Sequence, residues 1–384
     1  MKLYSKRAGE LYHVQSGYDC FVPTKLINVS INEDEELKDL LNRATYALGK
    51  LDGIASQVPN RDLFLATYVQ KEATVSSQIE GTQASLSDVL QAQIDNGDKR
   101  KDTQDIVNYV KALNNGLLLM DKLPLSVRFL KEVHKDLLVG VRGEYKNPGE
   151  LRNSQNWIGP AGCGLNRASF VPPCVEKMNE SLYDLENYLN NDLNVNALIK
   201  IALVHYQFET IHPFLDGNGR LGRLLIALLL KNEGYLKYPL LYLSLYFKQN
   251  RTEYYGLLMD VRFKGKYEEW IKFFLKGIIE TANDSMETIE KLSSIKIEAT
   301  NKIESLEQIN KQMYLSALDY LFVHPYVSSV ELREELNVSK PTISKLLSTL
   351  VENGILKPTS SKQRNVTYRF TKYADVLEEG TESI

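Results

Sequence analysis

Two neighbouring stretches of this chain leave almost no polar face. NALIKIALVHYQFETI, residues 196–211, is apolar nearly all round, and LLIALLL, residues 224–230, is the longest purely apolar run. A helix that is hydrophobic on every side has to be enclosed by protein. Both segments therefore demand a central place in a mainly helical fold. Seven apolar residues fall far short of the ~20 that cross a bilayer, so no membrane span is expected. Between the two lies HPFLDGNGRLGR, residues 212–223, which crowds a histidine, an aspartate, glycines, an asparagine and two arginines into the mouth of an apolar helix.

The rest of the chain supports a helical reading. Residues 33–58 and 61–81 place apolar residues at helical spacing, as do SLSDVLQAQI and TQDIVNYVKALNNGLLLM. Residues 143–173 interrupt the pattern with Gly, Pro and Asn, and read as a loop holding a short β-hairpin around NWIGP. Residues 284–312 alternate charges with few aromatics and read as an exposed connecting helix or linker. The last segment runs helix, helix, short turn, helix and two-stranded ribbon, the pattern of a winged helix-turn-helix. Ser339 is its candidate N-cap and Gly354 its candidate helix stop. At 384 residues two or three domains are expected. The boundaries expected are 1–109 for an N-terminal helical region, 110–275 for a core, 276–310 for the linker and 311–384 for the winged helix.

Composition narrows the class. A hydrophobic share of 43% with 25% charged residues is that of a soluble globular protein. The N-terminus has no apolar h-region, and three scattered cysteines give neither a disulfide framework nor a CxxC metal site. A cytoplasmic protein is expected.

Gly217, Gly219 and Gly222 match the GxGxxG spacing, but no β-branched strand precedes them and no acidic residue follows at ribose distance. GxxxxGK[ST] is absent, and His205 and His212 lack the HExxH arrangement of a zinc site. A phosphate site survives these exclusions. The turn Gly217-Asn218-Gly219 can aim backbone N–H groups at an anion, and the helix that follows adds its positive dipole end. Arg220 and Arg223, three apart, are expected to project toward one ligand. Asp216 is a hard oxygen ligand suited to Mg²⁺ beside phosphate, and His212 is placed to take a proton from a hydroxyl. Base, metal carboxylate, anion nest and arginines together imply phosphoryl or nucleotidyl transfer.

HPFLDGNGRLGR resembles the signature HxFx(D/E)GNGRxxR of the Fic family at every fixed position, and the resemblance to the catalytic core covers about residues 110–275. It implies a mostly all-helical enzyme that moves AMP from ATP to a hydroxyl side chain of a target protein. By that resemblance His212 is the base, Asp216 the Mg²⁺ ligand, Gly217, Asn218 and Gly219 the anion hole, and Arg220 and Arg223 the triphosphate clamp. SSQIEGT resembles the inhibitory motif (S/T)xxxE(G/N) of autoinhibited members, with Ser76 and Glu80 one helical turn apart. The resemblance implies that Glu80 pairs with Arg223 where the γ-phosphate belongs. It also makes the NWIGP hairpin a target-docking flap, with Trp157 or Ile158 clamping a target strand. There the chain departs from the family, because PAGCG inserts a Gly-rich tip with Cys163, which bears on target geometry.

Tyr254 and Tyr255 fall where members of the family approach adenosine, although paired tyrosines in an amphipathic helix are commonly core. His134 and His205 read as structural, and His324 has no partner visible in sequence. From Lys311 to Asp375 nine basic residues face six acidic ones. In a DNA-binding reading Ser339, Lys340, Thr342 and Ser344 approach the major groove, while Lys362 and Arg364 on the wing meet phosphates. Such a small excess implies weak, salt-sensitive binding, and winged helices also serve as protein-docking or homodimer surfaces.

The leading expectation is an adenylyltransferase using ATP and Mg²⁺, with an unnamed target protein or the chain itself as acceptor. Two alternatives stand beside it. One is a DNA-binding transcriptional regulator whose Fic domain senses nucleotide. The other is an enzyme that removes AMP, for which Glu80 would be required.

Overall fold

The computed structural model describes residues 4–55, 61–92, 101–140, 144–160, 162–191, 195–307, 309–359 and 366–382. It opens with a feature that helical periodicity did not predict, an antiparallel hairpin of β1 (Gly9–Val14) and β2 (Tyr18–Pro23). The hairpin turns at Gly17, whose φ of +89° suits a residue without a Cβ.

Helices follow almost without interruption: α1 (Glu35–Ala55), α2 (Arg61–Ile79), α3 (Leu86–Ala92), α4 (Lys101–Leu119) and α5 (Val127–Leu137). Among the described residues the loop up to Pro173 holds 3-10 turns and one bridge, Ile158 opposite Phe170, so the expected hairpin is reduced to that bridge. Beyond it come α6 (Val175–Asn190), α7 (Ala197–Ile211), α8 (Asn218–Asn232), α9 (Ser244–Gln249), α10 (Arg251–Lys264) and α11 (Tyr267–Ser305).

α7 and α8 take the centre that their composition demands. Every residue of α7 from Ile201 to Ile211 is buried, and α8 buries Leu221, Leu224, Leu225, Leu228, Leu229 and Leu230. The two helices pack on each other, with α6 and α11 against α7 and with α4 and α5 against α8. Burying one leucine stabilises by about 1.5–3 kcal/mol. Two of them therefore outweigh the ~1–2 kcal/mol cost of left-handed backbone at a non-glycine residue, which the turn between the helices imposes on His212 (φ +50°).

The linker expected at 276–310 is neither separate nor fully exposed. α11 runs unbroken across that boundary and buries Ile278, Ala282, Ser285, Met286, Ile289, Leu292, Ala299 and Ile303. Its partners are α1 and the C-terminal elements α12 (Lys311–Val323) and α15 (Thr371–Glu378). One apolar stripe among charges makes an amphipathic helix, and here the stripe is covered.

Between α12 and α15 lie β3 (Tyr326–Ser328), α13 (Ser329–Leu336), α14 (Lys340–Glu352), β4 (Lys357–Pro358) and β5 (Thr367–Arg369). The strands form an antiparallel sheet in the order β3-β5-β4. Ser328 and Glu331 close a capping box on α13, Ser339 Oγ accepts from the Thr342 N–H at the start of α14, and Gly354 (φ +66°) follows its end. Among the described residues no helix is long and apolar enough to cross a membrane.

Candidate active site

The polar turn is held from three sides before any ligand is considered. Asn218 folds its side chain back, donating to the Phe214 carbonyl at 2.8 Å and accepting the Phe214 N–H at 2.9 Å. Its amide thus closes the turn, and its backbone N–H is left for an anion. His134 on α5 stacks on Phe214 at 3.7 Å and takes the Gly149 N–H on Nδ1. Its Nε2 therefore carries the proton and donates to the Asp216 carbonyl at 3.0 Å. Burial pushes this histidine down to about 4, so it stays neutral.

The third support is Arg152, whose side chain is buried without a carboxylate. It donates from Nε to the His212 carbonyl at 3.0 Å, from Nη1 to Ser154 at 3.2 Å, and from Nη2 to Pro173. Asn156 adds donations to the carbonyls of His212 (3.1 Å) and Phe214 (3.0 Å). The carbonyls at the C-terminal end of α7 have no helical partners, and their negative dipole end favours a cation there. Burial lowers the Arg152 guanidinium to about 10, still charged at neutral pH.

His212 caps α7 and points into this enclosure. Burial drives its pKa down to about 4, against the Glu80 carboxylate that favours the charged form. A neutral imidazole is available to accept a proton. Its Nδ1 is buried without a hydrogen bond, and the nearest carboxylate, Glu209 Oε2, is 4.0 Å away. Glu209 is itself pushed up to about 7 by burial.

Arg223 and Glu80 form the centre of the site. Arg223 donates from Nε to Ser76 Oγ, and from Nη2 to the Ser76 carbonyl and to Glu80 Oε1, each at 2.9 Å. The Arg223 side chain is 2% exposed, while that of Glu80 is 40% exposed and faces the cleft. A Cβ at Gly219 would run into the same carboxylate. Burial pushes the Glu80 carboxyl up, but Arg223, helped by Arg220 and His212, outweighs it and holds the group below the ordinary carboxylate range.

The two arginines do not converge as their spacing suggested. Arg220 turns to Asp105 on α4 at 2.7 Å and lies 3.6 Å from Asp216. The tyrosines also separate. Tyr254 is 1% exposed, stacks on Phe247 at 4.4 Å and donates to His205 Nε2 at 2.9 Å, which makes it a core residue. Tyr255 is 39% exposed and lies within electrostatic reach of Glu80 and Arg223. In the loop, Trp157 donates from Nε1 to the Cys163 carbonyl at 2.9 Å, and Ile158 pairs with Phe170. Asp105, Arg152 and Asn156 have no assigned role in the sequence reading, and His134 reads there as structural. Their partners in the 212–220 stretch lie from 56 to 115 residues away, beyond any local pattern.

In the C-terminal elements Lys340 and Ser344 are exposed and Thr342 is half-buried, hydrogen-bonded to Ser339. Lys362 and Arg364 lie outside the described residues. Two other basic residues of the 311–375 segment are engaged within the protein: Arg369 pairs with Asp375 and Glu378, and Lys372 with Glu298. The excess of charge available to DNA is correspondingly smaller.

Residues 38–118 match the Fic/DOC family N-terminal region, and residues 124–230 match the Fic/DOC family itself. Among curated proteins the chain is similar to protein adenylyltransferase fic-1 of Caenorhabditis elegans, 27% identical over 210 residues, covering 51% of this chain and 38% of that protein. It is 33% identical over 143 residues to protein adenylyltransferase Fic of Drosophila grimshawi, covering 36% of this chain and 26% of that protein. The chain thus spans less than two fifths of the length of these relatives. A Fic family protein from Desulfovibrio desulfuricans G20 shares the fold with a TM-score of 0.57 at 20% identity, over 89% of this chain and 97% of that one. A Fic domain containing signaling protein from Bacteroides thetaiotaomicron VPI-5482 does so with a TM-score of 0.51 at 17% identity, over 65% of this chain and 97% of that one. With both the N-terminal region and the Fic domain present, the chain belongs to the Fic/DOC family.

Proposed function

We propose that this chain transfers AMP from ATP to a hydroxyl-bearing side chain of a protein, and that Glu80 holds it inactive. The observation that carries this reading is the Glu80 carboxylate bonded to Arg223 and lying against Gly219, an anion already seated where a helix start and a buried guanidinium await phosphate. The curated relatives, each named a protein adenylyltransferase, support the same chemistry.

The base is His212. As the acceptor oxygen attacks the α-phosphorus, the bond to the β-phosphate oxygen breaks, pyrophosphate leaves, and the hydroxyl proton passes to the neutral imidazole. Arg223 and the N–H groups at the start of α8 hold the phosphates, so most of the rate comes from placement and fixed charge. Asp216 suits Mg²⁺: its Oδ1 accepts the Gly217 N–H at 2.6 Å and its side chain is 41% exposed. Among the described residues no cluster of three His, Cys, Asp or Glu could hold a metal ion, so an ion at Asp216 would need nucleotide oxygens to complete its shell. Bound there, the cation would offset phosphate charge. Glu80 opposes all this by occupying Arg223, and a misplacement of ~1 Å at the reacting centre costs ~100-fold. We place the reaction in the cytoplasm, in keeping with three free cysteines.

The test uses ATP labelled at the α-phosphate with the native chain, Glu80→Gly, and Glu80→Gly combined with His212→Ala. Strong incorporation in Glu80→Gly that vanishes with the histidine supports both transfer and brake. ATP binding with no incorporation in any variant would overturn transfer in favour of nucleotide sensing.

A further inference from the structure

The helix that carries the brake has two working faces. Glu72, Ser76 and Glu80, spaced four apart, face the catalytic core. There Glu72 accepts from Tyr109 at 3.0 Å and from Ser244, and Ser76 and Glu80 hold Arg223. Thr67, Lys71 and Gln78, at spacings of four and seven, share a second face roughly opposite the first on α2, and it faces the C-terminal elements. Thr67 meets the Tyr373 hydroxyl of α15, and Lys71 lies among the charges of Asp284, Glu379 and Glu382.

Gln78 is the point of attachment. Its Nε2 donates to the carbonyls of Ala84 at 3.0 Å and Thr381 at 2.7 Å, and its Oε1 accepts from Lys248 at 2.7 Å. Lys248 directs its other donations to the carbonyls of Gly380 (3.2 Å) and Glu382 (2.7 Å). Thr381 is fully buried and turned back on the Glu378 carbonyl by its N–H and its hydroxyl. Gly380 adopts φ +81° against Leu245, a seat with no room for a side chain. Glu378 in turn accepts from Tyr326 at 2.8 Å and from Arg369 at 2.9 Å, which ties the segment to β3 and β5. A contiguous set of hydrogen bonds thus runs from the C-terminal sheet through Glu378 and Thr381 to Gln78, two residues before Glu80.

We propose that residues 378–382 are the latch of the brake, with Gln78 and Lys248 as the positioning residues through which the C-terminal domain keeps Glu80 on Arg223. This rests on the reading of Glu80 as an inhibitor. While the segment is seated, the last turn of α2 is bonded on the side away from the nucleotide, and Glu80 returns to Arg223 whenever it leaves. A partner that engages the C-terminal domain and lifts the segment removes those bonds, and the final turn of α2 frays. Coupling of this kind needs a physical element with two arrangements that both ends bias, and residues 378–382 with the end of α2 supply it.

The experiment compares full-length native protein, Lys248→Met, Gly380→Val and Glu80→Gly, together with Lys248→Met/Glu80→Gly, after thermal melts confirm folding. Gly380→Val lies outside α2 and the nucleotide site, and its added side chain crowds Leu245 of α9 from within the segment. The first readout is backbone amide exchange over residues 76–84, which requires no catalysis. The second is incorporation of label from α-labelled ATP. Both latch variants are expected to speed exchange at 76–84 and to raise incorporation ~10-fold, the effect of losing ~1.4 kcal/mol from the braked state. The double variant is expected to match Glu80→Gly, because a latch has nothing to hold once the glutamate is gone. Native exchange at 76–84 in both latch variants would overturn the proposal. So would faster exchange with native incorporation where Glu80→Gly is active, or a double variant additively faster than Glu80→Gly. If Glu80→Gly transfers nothing, the functional reading fails, and amide exchange alone decides whether the segment holds α2.

Discussion

Arg223 and Glu80 meet at 2.9 Å although 143 residues separate them, and the arginine spends two further donors on Ser76 of the same helix as the glutamate. Three of the five N–H donors of the guanidinium are therefore engaged by α2 before nucleotide arrives. A hydrogen bond to a charged group is worth about 1.5–3 kcal/mol. The Glu80 side chain is 40% exposed, so solvent screening puts the pair at the low end of that range. Glu80→Gly is expected to tighten Mg-ATP binding ~10-fold in calorimetry, with Ser76 still orienting the arginine. Unchanged affinity would mean that nucleotide and Glu80 do not compete for Arg223.

The acid limb of catalysis follows from burial. His212 is lowered to about 4, first by desolvation and then by Arg262 and Arg152, while Glu80 works in the opposite direction. Only the unprotonated ring accepts a proton, so a lowered pKa moves the loss of activity to more acidic pH. Removing Glu80 takes away a carboxylate that favours imidazolium and moves the limb further the same way. The kcat/KM profile of Glu80→Gly, which reports the free enzyme, is expected to stay level from pH 8 to about 5. A midpoint near 6.5, the ordinary histidine value, would show a solvated ring.

Much of the site was legible because its signals are local. Two all-apolar helices with a polar turn between them place that turn at the core surface, and the HPFLDGNGRLGR string names the chemistry. What stayed hidden depends on long-range contact. Nothing around Asp105 announces Arg220, 115 residues on, and nothing around Gln78 announces Thr381, 303 residues on. Other misses reflect a pattern with two readings. The charges of residues 284–312 masked a single apolar stripe, and the strands from Gly9 to Pro23 lack a clean alternation of burial. Asn218 shows a further limit: the turn is legible in sequence, but the side-chain amide that closes it on Phe214 is not.

Arg152 offers a test of how the loop is held. Its removal strands the carbonyl of Pro173 and leaves that of His212 to Asn156 alone, and a buried group left unsatisfied costs about 1–3 kcal/mol. Arg152→Lys keeps the charge but loses the fork that reaches several acceptors at once. Arg152→Met is expected to destabilise by several kcal/mol and Arg152→Lys by less, in denaturant titrations. Transfer by Arg152→Lys in the Glu80→Gly background is expected to fall mainly in kcat, because the displaced group is the carbonyl of His212. A change confined to the KM for ATP would place the role of Arg152 elsewhere.

Tyr254 and Tyr255 are adjacent in sequence and should behave differently. His205 turns its Nδ1 to the Gly222 carbonyl at 3.0 Å, so Nδ1 donates and Nε2 is left as the acceptor for the Tyr254 hydroxyl. Burial lowers His205 to about 3, so the ring does not recover by protonating near neutral pH. Tyr254→Phe leaves a buried acceptor empty and is expected to cost about 1–3 kcal/mol of stability, with the KM for ATP unchanged in the Glu80→Gly background. Tyr255→Ala removes a ring at the rim of the cleft, beside Arg251 at 5.9 Å and packed on Tyr254 at 4.9 Å. It is expected to leave the melting temperature near native and to raise the KM for ATP several-fold. The reverse pattern, a stable Tyr254→Phe with impaired nucleotide binding, would move the adenosine contact from the rim to the core.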